Sequence, residues 1–178
     1  MFSTRTTAAT LATAALVLTG GAATAASTSH GDVTGDAPVA TADITRVVVR
    51  NGEHALMVQT KLAKATATRT HLVITLTPAA EGAATYVVRT VEVAHHSAAT
   101  LESTAPGATE ATALDCAGIK ATVSRGRRGQ VLVRVPQACF GADAGTLVAQ
   151  VATQTGPQVE AGTDDTTDES AALRVKRG

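Results

Sequence analysis

The sequence predicts an all-β protein, an antiparallel β-sandwich of immunoglobulin-like or jelly-roll-like type with about eight or nine strands. Three observations carry the prediction. From Asp43 onward, apolar side chains recur at every second position, the period of a strand with one buried face. The alternating runs are short and separated by Gly, Pro, Asn and charged residues, which favour turns. The only long stretch of helical composition lies at the extreme N-terminus, where it reads as an export signal.

That signal occupies residues 1–25 of the 178. Arg5 supplies the cation, and an acid-free apolar run follows from Ala8 to Gly20 around Leu11, Leu16, Val17 and Leu18. Ala23-Thr24-Ala25 offers small residues for cleavage after Ala25. The run is shorter than the roughly 20 apolar residues of a membrane span, and no second such run follows. A secreted, extracellular protein without a membrane span is therefore expected. Residues 26–42 are small and polar, with Ser27, Thr28, Ser29, Gly31, Gly35 and Pro38, and read as a flexible leader. Residues 43–178 are expected to form a single domain.

The strands follow in order. Ile44–Arg50 is β-rich, and Asn51-Gly52 is a strong hairpin signal because both residues accept positive φ. Ala55–Leu62 returns with Leu56, Val58, Thr60 and Leu62 on one face. Residues 63–69 read as a loop. His71–Thr77 alternates Leu72, Ile74 and Leu76 and is stopped by Pro78. Thr85–Ala94 is a strand whose faces are poorly sorted: Val87, Arg89, Val91 and Val93 oppose Tyr86, Val88, Thr90 and Glu92. A short strand is expected at Thr100–Ser103, before the Pro106-Gly107 turn. Ala117–Ser124 alternates Ile119, Ala121 and Val123. It joins Gln130–Val135, with Val131, Val133 and Val135 inward, through the tip Arg125-Gly126-Arg127-Arg128-Gly129. Thr146–Thr155 alternates Leu147, Ala149, Val151 and Thr153. An acidic loop then carries Asp164, Asp165, Asp168 and Glu169, and a last strand runs over Ala172–Arg177.

Composition limits the core and the function. Alanine accounts for 37 residues, and after residue 25 only 34 residues are Ile, Leu, Val, Met, Phe or Tyr, so each buried large side chain matters. The chain has 15 basic and 15 acidic residues, and loss of Arg5 with the signal leaves a net charge of −1. Bulk charge therefore gives no reason to bind nucleic acid or an anionic membrane. Cys116 and Cys139 are the only cysteines, and in an exported chain a lone pair is expected to bridge.

Three pieces resemble a family of small secreted β-proteins of actinobacteria. They are Asp43-Ile44-Thr45-Arg46-Val47-Val48-Val49-Arg50-Asn51, Val133-Arg134-Val135-Pro136-Gln137-Ala138-Cys139-Phe140-Gly141, and Gly162-Thr163-Asp164-Asp165 ahead of Arg174-Val175-Lys176-Arg177. The resemblance implies a two-cysteine β-sandwich and brings no activity to carry over.

Candidate sites are few. Asp164, Asp165 and Asp168 could ligate calcium, because hard oxygen donors suit that ion, although the spacing of a dedicated calcium loop is missing. No other cofactor is expected. Arg125, Arg127 and Arg128 form a cationic knob able to grip an anionic polymer such as teichoic acid, or a partner's acidic patch. The plainer reading is a charged tip that discourages edge pairing. His95-His96 could bind a transition metal, but neighbours in a strand point to opposite faces and would need a turn to share one ion, and His30, His54 and His71 are scattered. Gly-x-Ser-x-Gly, His-Glu-x-x-His and phosphate-cradling glycine motifs are missing. With Tyr86 and Phe140 as the only Phe or Tyr residues after residue 25, and no Trp in the chain, a stacking platform for sugars is disfavoured. The function expected is a secreted, monomeric, non-catalytic module binding a protein or a cell-envelope component. The alternatives are a calcium-assisted carbohydrate-binding module, and a small secreted enzyme or protease inhibitor.

Overall fold

The computed structural model describes residues 25–65, 70–93, 96–141, 145–154 and 166–178. Among them, the first sheet is built from β1 (Ala26–Gly31), β2 (Ile44–Asn51) and β3 (Ala55–Leu62), with a short β4 (Lys64–Ala65) just beyond. The chain then crosses to the second sheet for β5 (His71–Pro78), β6 (Thr85–Val93), β7 (His96–Thr104) and β8 (Thr112–Leu114). It returns for β9 (Lys120–Ser124), β10 (Gly126–Arg127) and β11 (Gln130–Pro136), which ends in a 3-10 turn, Gln137–Phe140. Strand β12 (Thr146–Gln154) goes back to the second sheet, followed by β13 (Thr166–Glu169) and β14 (Leu173–Lys176).

The first sheet has the order β1-β2-β3-β11-β9 and the second β13-β12-β5-β6-β7-β8, with β14 also paired to β12 and β10 paired to β4. Every described pairing is antiparallel. The all-β sandwich read from the alternation is the fold observed.

Register explains why it holds together. In the first sheet, Val49 faces Val58, Val58 faces Val133, and Val133 faces Ala121, so one row crosses four strands. In the second, Val151, Ile74, Val88 and Leu101 form the matching row. All are buried, and the two rows belong to one continuous core between the sheets. Each fully buried Val, Leu or Ile contributes about 1.5–3 kcal/mol. A bulge at Thr45 lets both Ile44 and Val47 point inward and turns Thr45 outward.

The structure corrects several expectations. Residues 26–42 are not a leader throughout: β1 pairs with β2 along its whole length, from Ala26 opposite Asn51 to Gly31 opposite Arg46. This strand carries no apolar alternation, and backbone hydrogen bonding holds it in place. In β6 the buried face is that of Val88 and Thr90, because Arg89 turns outward to pair with Glu102. The hairpin at Asn51 forms, but neither Asn51 nor Gly52 takes a positive φ. Instead Asn51 is buried, and the Gln137 amide donates to its side-chain oxygen at 2.6 Å and to the Gly52 carbonyl at 2.9 Å. Asp168 and Glu169 lie on β13, not in a loop, whereas Asp164 and Asp165 fall outside the described residues. The unexpected strands are β1, β4, β8, β10 and β13. All but β1 have four residues or fewer, too short to show a period.

Candidate functional site

The basic tip expected at residues 125–129 does connect β9 to β11, and it does not project freely. Gly126 (φ 111°) and Arg128 (φ 55°) take left-handed backbone conformations that fold the tip back. Arg128 N–H donates to the Ala63 carbonyl and Leu62 N–H donates to the Gly129 carbonyl, each at 3.0 Å. Gly126 and Arg127 pair with Ala65 and Lys64. Gly129 is packed so closely that a Cβ there would strike Ala65 and stand 2.7 Å from the Ser124 carbonyl oxygen.

This fold-back places Arg127 and Arg128 beside Lys61 of β3. Together with Thr34, Thr45 and Gln130 they line an open cleft of about 630 Å³. Gln130 is oriented by a 2.6 Å hydrogen bond from the Gln59 amide to its side-chain oxygen. Among the described residues the one ion pair is Arg89–Glu102, at 3.6 Å on the outer face of the second sheet. The three cations of the cleft therefore have no carboxylate partner among the described residues. Arg125 opens the tip but is not part of the cleft wall.

Carboxylates gather where the 32–43 segment meets β13. One oxygen each from Asp36, Asp43 and Asp168 lies within 4.8 Å of the other two. Asp43 Oδ2 accepts the Gly35 N–H at 2.8 Å. Asp168 Oδ2 accepts Ile44 N–H at 2.6 Å and its Oδ1 accepts Glu169 N–H at 2.8 Å. Burial holds the Asp168 carboxyl above its ordinary 3.8. The Asp36 and Asp32 carboxylates push it further the same way, against the two backbone donors. Of the three aspartates expected to meet a calcium ion, only Asp168 is described, and its neighbours are Asp36 and Asp43. Asp36 and Asp43 carry little signal in the sequence, because they sit in the stretch that reads as a leader and at its end. The doubled Gly31-Asp32 and Gly35-Asp36 was the available signal.

The cysteines are bridged, with Cα atoms 5.5 Å apart. The bond joins the segment before β9 to the turn after β11, clamping the open end of the hairpin whose other end bears the cleft. Among the histidines, His71 is buried with its Nδ1 3.2 Å from the Thr90 carbonyl oxygen, whereas His30 and His54 are exposed. His96 begins β7, and His95 lies outside the described residues. No protein-family model matches this sequence, and no curated protein matches it significantly. No helix among the described residues is long and apolar enough to cross a membrane.

Proposed function

We propose that the chain is an exported, non-catalytic β-sandwich module that holds an anionic polymer of the cell envelope in the cleft of Lys61, Arg127 and Arg128. The observation that carries this reading is the convergence of three cations, without ionic partners among the described residues, on one concavity. Arginine forks match phosphate and carboxylate oxygens in pairs, and neighbouring Thr34, Thr45 and Gln130 can add hydrogen bonds to such a group. The near-zero net charge makes the attraction local to the cleft. The likeness to small secreted actinobacterial proteins with two cysteines, and the bridge itself, support a place outside the cytoplasm.

The test is cosedimentation of the mature protein with purified cell envelope and with a glycerol-phosphate polymer, for the wild type and for an Arg127→Glu/Arg128→Glu variant. The reading expects binding that weakens with salt and is lost in the variant. Equal retention of both proteins would refute it. Capture of an acidic protein in place of the polymer would move the reading to a protein-binding module.

A further inference from the structure

We propose that Asp36, Asp43 and Asp168 bind one calcium ion, which fastens the segment between β1 and β2 to β13 of the opposite sheet. This inference is independent of the anion-binding reading.

Spacing comes first. Calcium takes oxygen ligands at about 2.3–2.6 Å, so two oxygens on one ion stand at most about 5 Å apart. The three carboxylates, with oxygens within 4.8 Å of one another, meet that limit without rearrangement of the strands.

Asp43 is only 3% exposed, and its Oδ2 is occupied by the Gly35 N–H. Its Oδ1 is buried and receives no hydrogen bond. An ionised oxygen withdrawn from water without a donor is costly, and a bound cation removes the cost. Asp32, close enough to act on Asp168, likewise has a buried Oδ2 without a donor. No lysine or arginine makes an ion pair with any of these aspartates among the described residues. The negative charge is therefore left for a cation from solution, and an all-oxygen donor set selects a hard one.

Asp36 and Asp43 belong to the segment leading into β2, whereas Asp168 belongs to β13. The two are already close: Ile44 N–H donates to Asp168 at 2.6 Å, and Thr153 of β12, the strand paired with β13, donates through Oγ1 to the Ala42 carbonyl at 2.7 Å. The same segment carries Thr34 into the cleft wall, so calcium would also set the shape of that wall.

Isothermal calorimetry and thermal unfolding of the mature protein, in calcium and in chelator, test the site. The expected result is one ion per chain, with Kd on the order of 10⁻⁴–10⁻³ M as in other extracellular calcium modules, and a higher Tm in calcium. Asp36 is exposed, so Asp36→Ala should fold normally while weakening calcium binding about tenfold or more. Asp168→Asn should weaken it similarly, and an Asp164→Asn/Asp165→Asn variant should bind as the wild type does. The proposal is overturned by folded wild-type protein that shows neither heat nor a Tm shift in millimolar calcium. It is equally overturned if the Asp164/Asp165 variant loses binding while Asp36→Ala keeps it, or if magnesium at equal concentration matches calcium.

Discussion

The Tyr86 hydroxyl donates to the Phe140 carbonyl at 2.7 Å, while the two rings meet edge to face with centroids 5.2 Å apart and planes at 82°. These are the only Phe or Tyr residues after residue 25, and the chain has no Trp. Tyr86 lies on β6 of the second sheet, and Phe140 ends the turn after β11 of the first. Next to Phe140, Cys139 is tied to Cys116. The aromatic pair thus fixes the two sheets to each other where the disulfide has already restrained one of them. It also commits Tyr86 to the fold and away from a sugar-stacking surface.

Tyr86→Phe should cost about 1 kcal/mol, the value of one hydrogen bond with its acceptor left unpaired. Tyr86→Ala should cost about 3 kcal/mol, since the Phe140 ring loses its partner as well. Urea unfolding of both variants measures this, and an equal cost for the two would show that the ring contact contributes nothing.

Replacing both cysteines by serine should lower stability by about 3 kcal/mol, the entropy of a closed 23-residue loop. The sheets should survive, because the core rows do not depend on the bridge. Denaturant unfolding gives the cost. Alkylation with intact-mass analysis of protein folded under oxidising conditions should find no free thiol.

Gly129→Ala should destabilise by about 1–3 kcal/mol, because the added methyl enters space held by Ala65 and the Ser124 carbonyl. Its effect should be regional. Hydrogen exchange should speed up at the Leu62 and Arg128 amides, which bond across the fold-back, and remain slow at Val133 in the core. Uniform exchange rates across these amides would show that the tip is not seated as described.

In chelator-treated protein, the raised pKa of Asp168 means that the folded state binds this proton more tightly than the unfolded chain does. The contribution favours folding below pH 3.8 and is lost as pH rises through the higher folded value. The facing groups are Asp32, Asp36 and Asp43. Asp168→Asn should abolish this dependence, so its stability relative to wild type should improve as pH rises from below 3.8 through the raised folded value. The slope is the readout, because loss of a backbone acceptor adds only a constant offset. A flat or falling difference would contradict the assignment.

Much of the core was legible beforehand because alternation is a local property. Leu56, Val58 and Leu62, or Leu147, Ala149 and Val151, reveal their face through the pleat alone. β1 was not legible, since Ala26–Gly31 has no large apolar residue and is held by main-chain bonds to β2. β13 was equally hidden by its acidic composition. The disulfide was legible as a lone pair of cysteines in a chain whose N-terminus reads as an export signal.

The cleft was half visible. Arg127 and Arg128 were singled out by their glycine-flanked clustering, but Lys61 joined them only through the pairing of β3 with β11. The carboxylate site was less visible still, because Asp36 and Asp168 are separated by most of the domain.

The strand period, the inward faces of most long strands, the basic hairpin and the cysteine bridge can all be read from the residues alone. All of these follow from backbone geometry, or from chemistry between residues near in the chain. The neighbours β3 with β11 and β5 with β12 emerge from the packed fold instead. That order follows from closing two sheets over a single core, and it brings Asp36, Asp43 and Asp168 together. No short-range pattern encodes such a meeting, because the distance between those carboxylates is set by the packing of whole sheets.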